Sequence, residues 1–282
     1  MIRANDQAQG LRLVTKSQGA RPPRRSSPRH GTRTIAVTSG KGGVGKTQLS
    51  ANLAHAMAKL GDHVLLLDAD LGLASLDLAL GVEAPHDLMK LVQGHKSIDE
   101  VLVRGQGVDL LPACPGRYEM ANLAPHDRAR LMDAVHELAI EYDAVIIDTG
   151  AGLGTNTVSF AAEADDVVLV VTPEPTAFRD AYAMAKVLHR RNGVQQMQVV
   201  VNQVRDRMQG FEVFARLEEV AGRFLELELS YLGSLPRDES VTRAVALGAP
   251  YMLGAPDSQV ARSTEAVVRR LRPTLCPQED LC

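Results

Sequence analysis

Residues 39–47 read Ser39-Gly40-Lys41-Gly42-Gly43-Val44-Gly45-Lys46-Thr47. A glycine, four residues, then Gly-Lys-Thr is the spacing of a phosphate-binding loop. The flanks fit that reading. Thr34-Ile35-Ala36-Val37-Thr38 is short, apolar and β-branched, as a buried strand is. Residues 47–60 (TQLSANLAHAMAKL) carry apolar side chains at helical spacing, and Gly61 follows as a stop. Glycines between a strand and a helix leave bare N–H groups to meet phosphate beside the positive end of the helix dipole. Gly40, Lys41, Gly42, Gly43, Val44, Gly45, Lys46, Thr47 and Gln48 are therefore the expected nucleotide contacts. Lys46 is expected to reach the β/γ-phosphates, and the Thr47 hydroxyl to ligate Mg²⁺. A second lysine, Lys41, follows the first glycine, although a loop of this type needs Lys46 alone.

Outward from the loop, strand and helix patterns alternate. Strands are predicted at 63–68, 108–112, 144–148, 166–172, 198–203 and 229–234, and helices near 87–93, 126–141, 176–192, 210–226, 239–247 and 257–271. Several strands are continuous Val/Ile/Leu runs, which suit strands covered on both faces. The alternation predicts a single doubly wound, mostly parallel α/β sheet with helices on both faces. The domain spans 33–272. It is preceded by a short element over 1–18 and a flexible Pro/Arg/Ser-rich linker over 19–32, and followed by a tail over 273–282.

Composition narrows the class. The chain has 282 residues, 45% of them hydrophobic, enough for a sizeable core. No apolar run approaches the roughly 18 residues of a membrane span, and the polar start lacks a secretory signal. Three cysteines (Cys114, Cys276, Cys282) without metal-ligand spacing fit a reducing cytoplasm. The net charge of −3 is uneven. Residues 1–33 hold eight Lys/Arg against Asp6, giving +7, and the remainder carries −10. A basic tail on an acidic body suggests a tail that meets another molecule.

Acidic residues stand at strand ends. Asp68 and Asp70 follow Leu65-Leu66-Leu67, and Asp148 follows Ile146-Ile147. In doubly wound sheets, ligands sit outside the carboxyl ends of the strands, so these groups should share a rim with the loop. A hydrolytic nucleotide site needs a carboxylate near Mg²⁺ and a group that orients water. Asp148 suits the first role, through a metal-bound water, and Asp70 the second. Both are candidate metal-site residues together with Thr47. Lys46, Asp70 and Asp148 are the candidate catalytic residues these positions offer. Glycine-rich stretches after both acidic groups suit loops that rearrange around a γ-phosphate.

The joint motif of GKGGVGKT, DADLGLASLDLALG and IIDTGAGL resembles the deviant phosphate-loop ATPases that include MinD, ParA, the nitrogenase iron protein and Mrp, over about residues 32–272. The resemblance implies ATP and Mg²⁺ as ligands and a homodimer that forms on ATP. It implies that Lys41 crosses the dimer interface to the partner's phosphates, that Asp70 is the catalytic switch I aspartate, and that Asp148 belongs to the second switch. It places Asn202, Pro236 and Asp238 on the adenine side.

The N-terminal element narrows the branch. Asp6-Gln7-Ala8-Gln9-Gly10-Leu11-Arg12 resembles the activator motif of FlhG/FleN proteins, MinD-like regulators of flagellar number. By that resemblance Asp6, Gln7, Ala8, Leu11 and Arg12 stimulate the GTPase FlhF, and C-ring switch proteins or a FleQ-type transcription activator are downstream partners. Ala4, Ala8 and Leu11 fall on one helical face, and Asp6 suits a cap. Ser75 stands where the group often carries Asn. The tail, with Pro273, Pro277, Glu279 and Asp280, makes a poor interfacial helix, so membrane contact is expected to be weak or absent. A ParA-like DNA-binding role would want basic surface on the body, which is acidic, and no specific nucleic acid is expected. An Mrp-like iron–sulfur role lacks its cysteine pair. A division-site MinD role fits neither the activator motif nor the tail. The protein is expected in the cytoplasm, reaching the cell pole through partners.

Overall fold

The computed structural model describes residues 31–275, apart from 115, 117–119 and 121. The motif at Asp6–Arg12 and the end of the chain from 276 onward lie outside the described residues. Seven strands, β1 (Arg33–Ser39), β2 (Val64–Ala69), β3 (Val108–Leu111), β4 (Ala144–Ala151), β5 (Asp166–Val171), β6 (Gln196–Val204) and β7 (Glu228–Pro236), form one sheet in the order β3-β2-β4-β1-β5-β6-β7. Every pairing between them is parallel, where a mostly parallel sheet was expected.

The apolar runs explain the layering. Side chains alternate across a strand, so a strand buried along its whole length feeds two cores. Leu65 and Leu67 of β2, Val145 and Ile147 of β4, and Val167 and Leu169 of β5 enter one core. It is closed by α5 (Pro125–Ala139), α6 (Thr155–Glu163), α7 (Pro175–Asn192) and α8 (Arg207–Leu225), through Val135, Phe160, Leu188 and Leu217. Their neighbours Leu66, Ile146 and Val168 enter the other. There α1 (Lys46–Lys59) and the C-terminal helix α11 (Gln259–Leu275) supply Leu53, Met57, Val260 and Leu271.

Four helices depart from the sequence reading. They are α2 (Leu76–Leu80), α4 (Ile98–Val101), α6, and α10 (Tyr251–Gly254). Three span four or five residues, too short for a periodicity to register. The fourth, α6, opens on Thr155-Asn156-Thr157 after a glycine-rich stretch and has no side-chain cap. Burial of Val158, Phe160 and Ala161 against the sheet overrides that weak local propensity. The remaining short helices, α3 (Leu88–Val92) and α9 (Glu239–Leu247), match their predicted ranges closely, and α11 continues into the stretch read as the tail. No helix among the described residues is long and apolar enough to cross a membrane.

One buried amide ties this frame to the rim where the loop lies. Asn52 in α1 is fully buried. Its Nδ2 donates to Gln48 O at 2.7 Å, and its Oδ1 accepts from Met252 N in α10 at 2.9 Å. Asn52→Ala leaves the Met252 N–H buried without its acceptor. The expected loss is about 1–3 kcal/mol of folding stability, measured by urea denaturation.

Candidate functional site

The loop between β1 and α1 is held from β6. Gly45, the N-cap of α1, has φ 91° and ψ 25°, a left-handed conformation. A Cβ there would run into Nδ2 of Asn202. That amide donates to Val44 O at 2.8 Å, and Gln203 Nε2 donates to Gly43 O at 3.3 Å. Gln203 is itself at positive φ, 59°, with its N–H donating to Asn202 Oδ1 at 2.8 Å. Ser39 Oγ donates to Lys41 O at 2.7 Å. Side chains thus occupy carbonyls of the loop on its protein side. The resemblance placed Asn202 on the adenine side; its hold on the loop, and that of Gln203, were not read from the sequence.

Behind the loop, charged groups are buried together. Lys46 is 7% exposed. Desolvation lowers its pKa, while the charges of Asp148 and Asp70 act to keep the ammonium. Asp148 is 1% exposed. Its Oδ1 accepts from Ser50 Oγ at 2.9 Å, and its Oδ2 is buried with no hydrogen-bond partner. Burial pushes its pKa up to about 6, against the opposing pull of Thr47, Lys46 and Ser50. Asp68 is the Cα partner of Asp148 across the β2–β4 pair. Burial and the Asp148 charge push Asp68 up to about 8.

The two strand-end aspartates of β2 divide the work. Asp68 Oδ1 accepts from Asp70 N, and its Oδ2 from Ser75 N and Leu76 N, each at 3.1 Å. It is the clasp of loop 70–76. Asp70 is half-buried, and its Oδ1 accepts from Leu73 N at 3.2 Å. It faces the same rim as Lys46 and Asp148.

Lys41 points elsewhere. Its Nζ donates to Glu174 Oε2 at 2.7 Å and to Thr176 Oγ1 at 2.9 Å, at the N-cap and first turn of α7. The hydrogen bond from Lys41 holds the Glu174 carboxyl below its usual range. The pair is exposed, and exposed ion pairs are weak, so this contact is readily exchanged for another.

Beside the loop is an open cavity of about 580 Å³, whose lining includes Gly45, Gln48, Asn202, Pro236, Arg237 and Asp238. The volume suits a nucleoside-sized ligand. Asp238 lines it while serving the fold. Its Oδ1 caps α9 through Ser240 N at 2.8 Å, and its Oδ2 accepts from Val260 N at 3.2 Å. Gln48 Oε1 is buried there without a hydrogen-bond partner. The structure therefore brings the loop, Asp70, Asp148, Asn202, Pro236 and Asp238 to one rim, and sets Lys41 against a neighbouring turn.

A cation fits this rim on specific terms. Among the described residues no cluster of His, Cys, Asp and Glu would hold a metal alone. The orphaned Asp148 oxygen and the Thr47 hydroxyl are oxygen donors that leave most of a coordination sphere open. Mg²⁺ binds in this way, taking one or two protein ligands and completing its shell with water and phosphate.

The chain is similar to several known proteins. A family model described as an AAA domain matches residues 32–208. The antiactivator FleN of Pseudomonas aeruginosa is 41% identical over 243 residues, 86% of this chain and 87% of its own. The flagellum site-determining protein YlxH of Helicobacter pylori is 34% identical over 76% of this chain and 73% of its own. The septum site-determining protein MinD of Pyrococcus horikoshii, solved with Mg-ADP, superposes with a TM-score of 0.74 over 89% of this chain and 100% of that one. Its 24% identity makes the likeness one of fold.

Two glycines of the loop separate strain from contact. Gly43 and Gly45 both have positive φ, but a Cβ at Gly43 meets nothing within 4 Å. Alanine at either position carries about 1–2 kcal/mol of left-handed strain. Gly45→Ala should lose about 1 kcal/mol more with the Asn202–Val44 hydrogen bond, and so melt several degrees below Gly43→Ala. Equal melting temperatures would mean that Asn202 does not brace the loop.

Proposed function

The chain belongs to the FlhG/FleN group of the MinD-like phosphate-loop family, and from that premise we propose that it is an ATP-dependent dimerising switch, hydrolysing ATP to ADP and phosphate, that regulates flagellum number or placement. The observation that carries the catalytic half is the buried Asp148, with one oxygen unpaired, set with Lys46, Thr47 and Asp70 behind a braced glycine loop. The flagellar half rests on relatives named as an antiactivator and a flagellum site-determining protein.

Each residue has a task in that reading. The loop from Gly40 to Gln48 binds the phosphates, with Lys46 on the β- and γ-groups. The Thr47 hydroxyl, and Asp148 through water, would hold Mg²⁺, with Asp70 at its edge. When bound, the ion neutralises charge on the transferring phosphoryl group. Asp70 orients the attacking water and accepts its hydrogen bond. Asn202, Pro236 and Asp238 form the adenine side of the cavity. Lys41 leaves Glu174 and Thr176 to reach the partner protomer's phosphates, as an arginine finger in trans does. The Asp6–Arg12 motif stimulates an FlhF-type GTPase, and C-ring switch proteins or a FleQ-type activator are the downstream partners. The protein works in the cytoplasm, with weak or no membrane contact of its own.

Three outcomes follow. Lys41→Ala should abolish dimerisation on ATP while monomeric nucleotide binding survives in part; a dimer seen by light scattering would sink the trans role. Asp70→Ala should keep the ATP dimer and lose nearly all phosphate release, and normal release would remove Asp70 as the water-orienting group. A peptide of residues 1–20 should raise FlhF GTP hydrolysis, and no stimulation would leave the flagellar reading on the core alone.

A further inference from the structure

Ser50 is fully buried in the second turn of α1, four residues after Lys46. A buried helical hydroxyl usually turns back to the carbonyl four residues earlier. Thr264 in α11 does so, donating to Val260 O at 2.9 Å. Ser50 instead donates across the core to Asp148 Oδ1, 98 residues away in sequence, at 2.9 Å. The carboxylate so gripped faces Lys46 and the Thr47 hydroxyl, and its second oxygen is left buried and unpaired. The neighbouring Asp68 is no rival for a cation, since backbone N–H groups of loop 70–76 engage both of its oxygens.

We propose that Ser50 is a positioning residue for the divalent cation of this site, fixing the Asp148 carboxylate through Oδ1 so that Oδ2 alone is presented to the cation or its bound water. The inference rests on the Mg-nucleotide reading above. Groups that hold a metal's ligands in place typically matter 10–100-fold to metal affinity without touching the metal. Ser50 acts through Asp148 and makes no contact with phosphate, so its loss should weaken the effect of Mg²⁺ and spare the metal-free grip on nucleotide.

The test is a titration of the full chain with a fluorescent ADP analogue, in EDTA and then in rising Mg²⁺. In wild type, Mg²⁺ should tighten binding. Ser50→Ala should bind the analogue equally well in EDTA, yet need about 10–100 times more Mg²⁺ for half of the tightening. Ser50→Thr keeps the hydroxyl and should restore the wild-type requirement, which guards against a general folding defect. An unchanged Mg²⁺ requirement in a folded Ser50→Ala would overturn the positioning role, and so would an equal loss of affinity with and without metal. If wild type itself shows no effect of Mg²⁺, the metal reading of the site fails first, and this inference falls with it.

Discussion

A lysine ammonium and an aspartate carboxylate lie buried together at the carboxyl end of the sheet, and the rim is arranged around them. Neither charge is comfortable away from water, and each moderates the other's loss of solvation. The carboxylate is still left with a vacant oxygen. A site with unspent negative charge and open coordination is complementary to a cation carrying phosphates. The neighbouring features hold that arrangement in place. Asn202 and Gln203 brace the loop from β6, Asp68 clasps the loop after β2, and Ser50 grips the other oxygen of Asp148.

The parts legible in the sequence were those that local pattern controls. Runs such as Val64–Leu67 and Val167–Val171 declare strands covered on both faces, and each strand predicted there formed. Asp70 and Asp148 could be placed on the rim because they follow such runs, and parallel connectivity sends all those ends the same way. What the sequence withheld depends on distant partners. Nothing near Ser50 marks it as a ligand of a residue on β4. Nothing in the Lys41 segment points to Glu174, because the turn that carries it arrives on another strand. The helix Thr155–Glu163 was hidden by weak formers at its start, and only the sheet beneath it makes it stable.

The two readings of Lys41 are compatible because of where its present contact lies. A lysine bound to its own chain's Glu174 in an exposed ion pair is ordered without being committed. Its weak hold lets a better anion displace it. The buried Lys46 has no such freedom. One loop therefore presents a buried cation and an exposed one, and in the switch proposed above the first would hold the nucleotide and the second report it.

The position of β1 has a consequence for how the protein is made. It has β4 on one flank and β5 on the other, so chain emerging early builds one half of the sheet and chain emerging later the other. During synthesis, the edge of β1 facing β5 stays uncovered until residues beyond Val171 leave the ribosome, and a naked parallel edge invites wrong pairing. The Asn202 that braces the loop comes later still, on β6. A nascent chain thus carries the glycine loop long before it carries the prop that accompanies it in the folded domain.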